Sequence, residues 1–298
     1  MVEFDHVVFD YGDGKGILND FSLKIPYGEL VCLIGPSGCG KTTILKLIER
    51  VIHPSSGTVT TRENFGVPNH IVRSRIGYVA QSGNMLNHMT IRENFDLQAK
   101  LRKCSIDHKL FNTTNFSSSL IDKYPTELSG GQLQRASLMK ALIGYPNLLL
   151  LDEPFSALDP IVRDKLQIEL ANLHYELPDI TIIMVTHDVS EALILADKIA
   201  VMDKGILLDY GTPNDIWFNP KNDLVSKFIG KTSDTPSIFW NSWRITALEK
   251  MKKSNSDEIL VVDSDKNPLG TLSKSIIEES LNTSSDKLVT LKSLLNNK

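Results

Sequence analysis

Gly35-Pro36-Ser37-Gly38-Cys39-Gly40-Lys41-Thr42 fits the pattern G-x-x-x-x-G-K-[ST], a loop that wraps a phosphate chain. Glycines let successive backbone N–H groups turn inward around an anion, where a Cβ would clash or force other dihedrals. Lys41 adds a positive charge for the β- and γ-phosphates, and Thr42 a hydroxyl for Mg²⁺. The flanks agree with this reading. Leu30–Ile34 is an apolar run of strand length, and Thr43 opens a helix whose N-terminus faces the loop. A purely structural glycine-rich turn is the competing reading, and the strand–loop–helix context disfavours it.

The 298 residues suffice for one large α/β domain and a small appendage. A net charge of -4 lacks the basic footprint of a nucleic-acid binder, so no nucleic-acid partner is expected. Three cysteines, Cys32, Cys39 and Cys104, show no pairing pattern and suggest a reducing compartment. The first residues, MVEFDHVVFDYGDG, do not read as a secretory signal. Apolar runs such as Asn147–Asp152 are too short to span a bilayer, so membrane work would require another chain.

Val2–Tyr11 and Ile17–Ile25 read as strands. Tyr11 ends an edge strand, and its ring reads equally as a cover for the core or a platform for an adenine. Arg73–Gln81 reads as an approach helix and a short strand ending on Gln81. That carboxamide is either a surface residue or a contact for Mg²⁺ or the lytic water. Asn94–Lys123 is mixed, with a helix around Phe95–Lys103 and a Ser/Thr/Asn-rich stretch at 113–119. Then comes Leu128-Ser129-Gly130-Gly131-Gln132, with a helix from Leu133 to about Leu142. Ser129 and the paired glycines at a helix start form a second anion cradle. Two phosphate-facing helix starts so far apart in one chain are explained by a head-to-tail dimer that shares each nucleotide.

Leu148-Leu149-Leu150-Leu151-Asp152-Glu153 is an apolar strand ending in two carboxylates, as at the centre of a parallel sheet. Asp152 is placed to hold Mg²⁺ through water, and Glu153 to orient or deprotonate an attacking water. Pro154–Pro160 turns into a long helix. Thr181–Asp188 is a further strand carrying His187 at its carboxyl end, where sites collect in open α/β sheets. Ile199–Met202 and Ile206–Tyr210 read as a hairpin, and helices over Asn214–Phe218 and Leu224–Ile229 close the domain near Gly230.

Taken together, Gly35–Thr42, Gln81, Leu128–Gln132, Leu148–Glu153, Ser156–Asp159 and His187 stand in the order found in the ATP-binding subunits of ABC transporters, which the chain resembles over residues 1–230. Small-molecule kinases lack the Leu-Ser-Gly-Gly-Gln element. The resemblance implies an α/β P-loop ABC nucleotide-binding domain with an N-terminal antiparallel β subdomain and a helical subdomain at about 83–145. It implies ATP and Mg²⁺ as ligands and an ATP sandwich dimer. There Lys41, Thr42, Gln81, Asp152, Glu153 and His187 of one copy face Ser129, Gly130 and Gly131 of the other, with Gln132 beside them. Tyr11 takes the adenine-stacking role, Thr42, Gln81 and Asp152 attend the metal, Glu153, His187 and Gln81 the chemistry, and Asp159 the dimer seam. Partners implied are transmembrane permease subunits and an extracytoplasmic substrate-binding protein, with this chain peripheral on the cytoplasmic face of the cell membrane.

A finer resemblance is to importers of glycine betaine, carnitine and choline. It rests on Leu47–Arg50, Ile76–Val79, His88–Ile91, Asp152–Ile161 and Val185–Asp188 followed by Glu191-Ala192. Polar amino-acid and metal importers share several of these, and a soluble non-transport ABC ATPase is a further alternative. Lys140 departs from the arginine usual in the family before Ala-Leu. After a linker at 231–243, residues 244–298 resemble a single, partial cystathionine-synthase-type (CBS) repeat. In it a helix falls over Thr246–Met251, strands over Glu258–Asp263 and Leu269–Leu272, and a turn over 264–267. Such a repeat would sense ionic strength or a nucleotide, or merely stabilise. Finally, the thiol of Cys39, inside the phosphate loop, is expected to make the protein sensitive to oxidative or alkylating inhibition, while its backbone N–H serves the phosphate.

Overall fold

The computed structural model describes residues 1–229 except 13, 15, 62–67 and 82, and in the C-terminal part 237–239, 258–262, 268–273, 275 and 277. The chain divides into two compact units, Met1–Ile229 and Gly230–Lys298. In order, the first unit holds β1 (Val2–Phe9), β2 (Leu18–Ile25), β3 (Leu30–Ile34), α1 (Lys41–Ile48), β4 (Ser56–Thr61), α2 (Asn69–Ser74), β5 (Ile76–Val79), α3 (Ile91–Arg102), α4 (Lys109–Thr113) and α5 (Gly130–Leu142). It continues with β6 (Leu148–Asp152), α6 (Pro160–Glu176), β7 (Thr181–Thr186), α7 (Val189–Leu195), β8 (Lys198–Asp203), β9 (Ile206–Gly211), α8 (Pro213–Phe218) and α9 (Asp223–Phe228).

β3, β6 and β7 are buried at every position, which is why they read as unbroken apolar runs rather than alternating ones. They lie inside a six-stranded sheet of order β5-β6-β7-β3-β8-β9, parallel except for the β8–β9 hairpin. In a separate antiparallel sheet, β2-β1-β4, the strands β1 and β2 alternate instead, each with one two-residue exposed step. Phe21, Leu23 and Ile25 of β2 turn inward and join Leu33, Ile44 and Val185 in one core cluster.

Several boundaries differ from the sequence expectation for identifiable reasons. β5 stops at Val79, and Gln81 follows it in a turn closed by Gly83 N–H on the Ala80 carbonyl at 2.9 Å. α3 starts at Ile91 rather than near Phe95, because Thr90 and Glu93 form a reciprocal capping box. α5 starts at Gly130 rather than Leu133, with Ser129 as its cap. β7 ends at Thr186, since the Asp188 side chain caps α7 through Ser190 N–H and Glu191 N–H. Phe95, Phe111 and Phe116 form an aromatic cluster inside the 83–145 helical part.

In the second unit, β10 (Ser237–Phe239) pairs parallel with β11 (Glu258–Val262), which pairs antiparallel with β12 (Pro268–Ser273). Ile259 and Val261 are buried. The stretch 231–243, expected as linker, therefore contains a strand. The helix expected over Thr246–Met251 and the turn at 264–267 lie outside the described residues.

Candidate active site

β5, β6, β7 and β3 are consecutive and parallel, so the residues that follow their carboxyl ends collect along one edge of the sheet. Those residues are Gln81 after β5, Asp152 and Glu153 at the end of β6, His187 after β7 and the Gly35–Thr42 loop after β3. Segments more than 140 residues apart in sequence thus meet because their strands are neighbours.

Within the loop, Gly38 (φ +81) and Gly40 (φ +106) adopt left-handed backbone that a side chain disfavours. Gly40 is the N-cap of α1 and offers no side-chain acceptor, so the first-turn N–H groups remain available to an anion. Lys41 Nζ donates to the carbonyls of Gly35 at 2.8 Å and Pro36 at 3.0 Å, which holds the ammonium against the loop. Tyr11 is 54% exposed; it packs edge-on against Phe9, and its hydroxyl lies 3.4 Å from Thr43 Oγ1 at the start of α1. The ring therefore stands beside the phosphate loop.

Asp152 is 9% exposed. Its Oδ1 accepts from Thr42 Oγ1 at 3.3 Å and its Oδ2 from the Tyr78 hydroxyl at 3.2 Å. Burial, aided by the Glu153 charge, raises its pKa above the usual carboxylate range despite these two bonds. A hydroxyl and a carboxylate are the hard oxygen donors that Mg²⁺ prefers, so the residues present fit that ion.

Glu153 has φ +47, a left-handed conformation that costs an L-residue about 1–2 kcal/mol. It persists because its backbone is held on both sides. Its N–H donates to Val185 O at 2.9 Å, and its carbonyl accepts from Ser156 N at 3.3 Å and Ser156 Oγ at 3.0 Å. This kink carries the carboxylate off the strand line to His187, whose Nδ1 lies 3.1 Å from Glu153 Oε2. His187 is exposed. Gln81 Nε2 donates to Ser156 Oγ at 3.3 Å, so its amide rests on the turn that holds Glu153.

Ser129 caps α5 in a capping box with Gln132: Ser129 Oγ accepts from Gln132 N–H at 3.4 Å, and Gln132 Oε1 accepts from Ser129 N–H at 3.0 Å. Gly131 is pressed against α6, where a Cβ would come within 2.6 Å of Val162 Cγ1. Asp159 caps α6 through Val162 N–H at 3.0 Å. The second cradle and the Ser156–Asp159 turn thus pack together. Among the described residues no hydrogen bond joins Ser129–Gln132 to the phosphate loop.

Two residues that the sequence reading quoted only for the finer resemblance also take part in the bonding around the site. Tyr78 has no local signal, because its role rests on a hydroxyl reaching across to β6. Glu191, 4% exposed, sits three residues after Asp188, a spacing that suggests a capping box. Its carboxylate instead accepts from Thr186 Oγ1 at 2.5 Å, and Thr186 Oγ1 accepts from Asp188 N–H at 3.0 Å just past His187. Cys39 corrects an expectation. It is 4% exposed, and burial raises its thiol pKa against the pull of the Lys41 ammonium, so the thiol is shielded rather than poised for alkylation.

The parallel sheet, phosphate loop, carboxylate pair and histidine define a P-loop ATPase of the ABC type. The chain belongs to the ABC transporter family, whose model matches residues 18–156, and it is an ATP-binding, ATP-hydrolysing subunit of such a transporter. It is 42% identical to the carnitine transport ATP-binding protein OpuCA of Listeria monocytogenes over 288 residues, covering 88% of this chain and 72% of that protein. It is 38% identical to the choline transport ATP-binding protein OpuBA of Bacillus subtilis, covering 94% and 80%. Among solved structures it resembles the dimeric post-hydrolysis state of the ATP-binding cassette MJ0796 bound to ADP and Pi, with TM-score 0.63 and 27% identity over 72% of this chain and 99% of that one.

Proposed function

We propose that two copies of this chain close head to tail on two Mg²⁺-ATP molecules and power uptake of a quaternary-ammonium osmoprotectant such as carnitine, choline or glycine betaine. The observation that carries the dimer is that the chain has two helix starts able to hold an anion, at Gly40–Lys41 and at Ser129–Gly131, and among the described residues no hydrogen bond joins the second to the phosphate loop. The MJ0796 cassette forms a dimer with ADP and Pi, which supports this reading. The cargo reading is supported by the length of the likeness. It runs over 88% of the chain with OpuCA but 72% with the sulfate/thiosulfate import protein CysA of Pseudomonas syringae, at 43% identity.

In this reading the 35–43 backbone and Lys41 bind the phosphates, Tyr11 stacks on the adenine, and Ser129–Gln132 of the second copy close the site beside Asp159. Thr42, Asp152 and Gln81 would hold Mg²⁺, which when bound neutralises phosphate charge. Glu153 accepts the proton of the attacking water, and His187 holds a γ-phosphate oxygen. Among the described residues no helix is long and apolar enough to cross a membrane. Permease subunits would therefore supply the spans, fed by an extracytoplasmic binding protein, with this chain on the cytoplasmic face. Residues 1–230 act as the ATPase, and 244–298 as a single CBS-like repeat. The parallel β10–β11 pair and the β11–β12 hairpin are compatible with that repeat.

The test is uptake into liposomes by the chain reconstituted with its co-expressed permease, using labelled carnitine, choline, glycine betaine and sulfate. Uptake of sulfate alone would overturn the cargo reading. Glu153→Gln should still bind ATP and dimerise while hydrolysis drops by a factor on the order of 100 or more. Rapid turnover by that variant would remove Glu153 as the base.

A further inference from the structure

The turn that carries Gln81 is gripped by α5, the helix whose opposite end carries Ser129–Gly131. Gly83 closes the turn on Ala80 O and lies so near α5 that a Cβ would come within 3.0 Å of Ser137 Oγ and 3.6 Å of Leu133 Cγ. One residue on, the Asn84 carbonyl accepts a hydrogen bond from Lys140 Nζ at 2.5 Å, while the Asn84 amide donates to Tyr78 O at 2.7 Å. Ser137 and Lys140 stand three residues apart and so share one face of the helix. Lys140 Nζ also lies 3.5 Å from Asn94 Oδ1. Asn94 is fully buried and ties the next segment together, accepting from Leu86 N–H and donating to the carbonyls of Leu86, Met89 and Thr90.

Lys140 is the charged group in this seam; its bonds go to amide oxygens, and among the described residues no carboxylate is paired with it. Burial lowers its pKa below the ordinary lysine range, as expected of an ammonium satisfied by carbonyl oxygens alone. Desolvating a lysine without an acid partner is unfavourable for a side chain whose role is merely to fill space. From the far side of the turn, Gln81 reaches Ser156, and Ser156 holds the Glu153 carbonyl. A continuous path therefore runs from the last turn of α5, through Asn84 and the Gln81 turn, to the Glu153 kink.

We propose that Lys140 is a positioning residue for ATP hydrolysis. By holding the Asn84 carbonyl it sets where Gln81 stands, and it ties that turn to the helix that presents Ser129–Gly131 to the second copy's nucleotide. The last clause rests on the head-to-tail dimer proposed above; the action on Gln81 does not.

Steady-state Mg²⁺-ATP hydrolysis by the full chain tests this with Lys140→Met, Lys140→Arg, Gln81→Ala and the double variant Lys140→Met/Gln81→Ala. Lys140→Met is expected to lower kcat by a factor on the order of 10 while KM changes by less than about twofold, because a misplaced positioning group costs chemistry rather than binding. Lys140→Arg should regain most of the loss, since a guanidinium also donates to carbonyls. In the Gln81→Ala background Lys140→Met should lower kcat no further, because the two act through one path. An unchanged kcat in Lys140→Met, or a full additional loss in the Gln81→Ala background, overturns the proposal. If Lys140→Met does not fold, Gly83→Ala displaces the same turn from Ser137 and leaves Lys140 intact. It should show the same kcat-selective loss, and an unchanged kcat would overturn the proposal equally. Hydrolysis by the unmodified chain and its loss in Glu153→Gln test the ATPase reading separately.

Discussion

Replacing Glu191 by glutamine should make the protein clearly more stable at pH 8 and change its stability by less than about 1 kcal/mol at pH 5. The Glu191 carboxyl is 4% exposed and hydrogen-bonded to Thr186 Oγ1. Burial foremost, then the Thr186 hydroxyl and Arg163 pulling down and Asp188 pushing up, leave its pKa at about 7 against an ordinary 4.5. Between these values the folded protein keeps a proton that the unfolded chain has released. Unfolding free energy therefore falls as pH rises through that window and levels off above it. At about 1.4 kcal/mol per pH unit, the 4.5-to-7 window amounts to about 3 kcal/mol. Glutamine cannot ionise, yet its Oε1 still accepts from the Thr186 hydroxyl, so the packing is preserved while the proton linkage is removed. Urea unfolding followed by circular dichroism at pH 5, 6, 7 and 8, at constant ionic strength and without nucleotide, measures the difference. The expected gain at pH 8 is up to about 3 kcal/mol, equivalent to about 2–4 °C in Tm per kcal/mol. Glu49, also raised to about 7 chiefly by burial, contributes to the pH dependence of both proteins and cancels in the comparison. A stability difference that does not vary with pH would refute the reasoning.

Other consequences are equally direct. In the native protein the partly exposed Cys104 should react with a thiol reagent well before Cys32 and Cys39, with all three reacting in denaturant; fast native labelling of Cys39 would contradict its burial. Gly131→Ala places a methyl 2.6 Å from Val162 Cγ1 and should cost about 1–3 kcal/mol of stability, relieved by Val162→Ala in the same chain. If the two losses simply add in urea denaturation, the close contact is not the cause. The Arg102 guanidinium, lowered to about 10 by burial, donates to the carbonyls of Ala141, Ile143 and Ile76 and so joins the end of α5 to β5. Arg102→Met should cost roughly 2–4 kcal/mol, and a loss below about 1 kcal/mol would show those carbonyls to be satisfied otherwise.

Much of the candidate site was legible because the chemistry proposed for it is written in short, local patterns. A phosphate loop needs glycines at set spacing before a lysine. A central strand needs an apolar run, and its exit needs an acid. The Ser129 cap and the adjoining glycines announce a helix start. None of these depends on a distant residue, so Lys41, Thr42, Asp152, Glu153, Ser129 and His187 stand out from the chain alone. Element boundaries slipped where a cap decided them, as at Thr90 and Asp188, because a side-chain bond to one N–H outweighs a weak periodicity.

What only the tertiary structure decided is which of these pieces meet. Parallel pairing places β6 between β5 and β7, and β3 beyond β7, through connections that carry no sequence mark of their neighbours. From that order follow the contacts of Tyr78 with Asp152, Gln81 with Ser156 and His187 with Glu153. The left-handed backbone of Glu153 is invisible in sequence, since bonds from Val185 and Ser156 impose it against its own preference. The shielding of Cys39 and the raised pKa of Glu191 are likewise sums over surroundings drawn from several segments. Local sequence determines which groups are available to handle a phosphate. The pairing of strands distant in the chain determines their distances, protonation and access, because those depend on neighbours that no local stretch encodes.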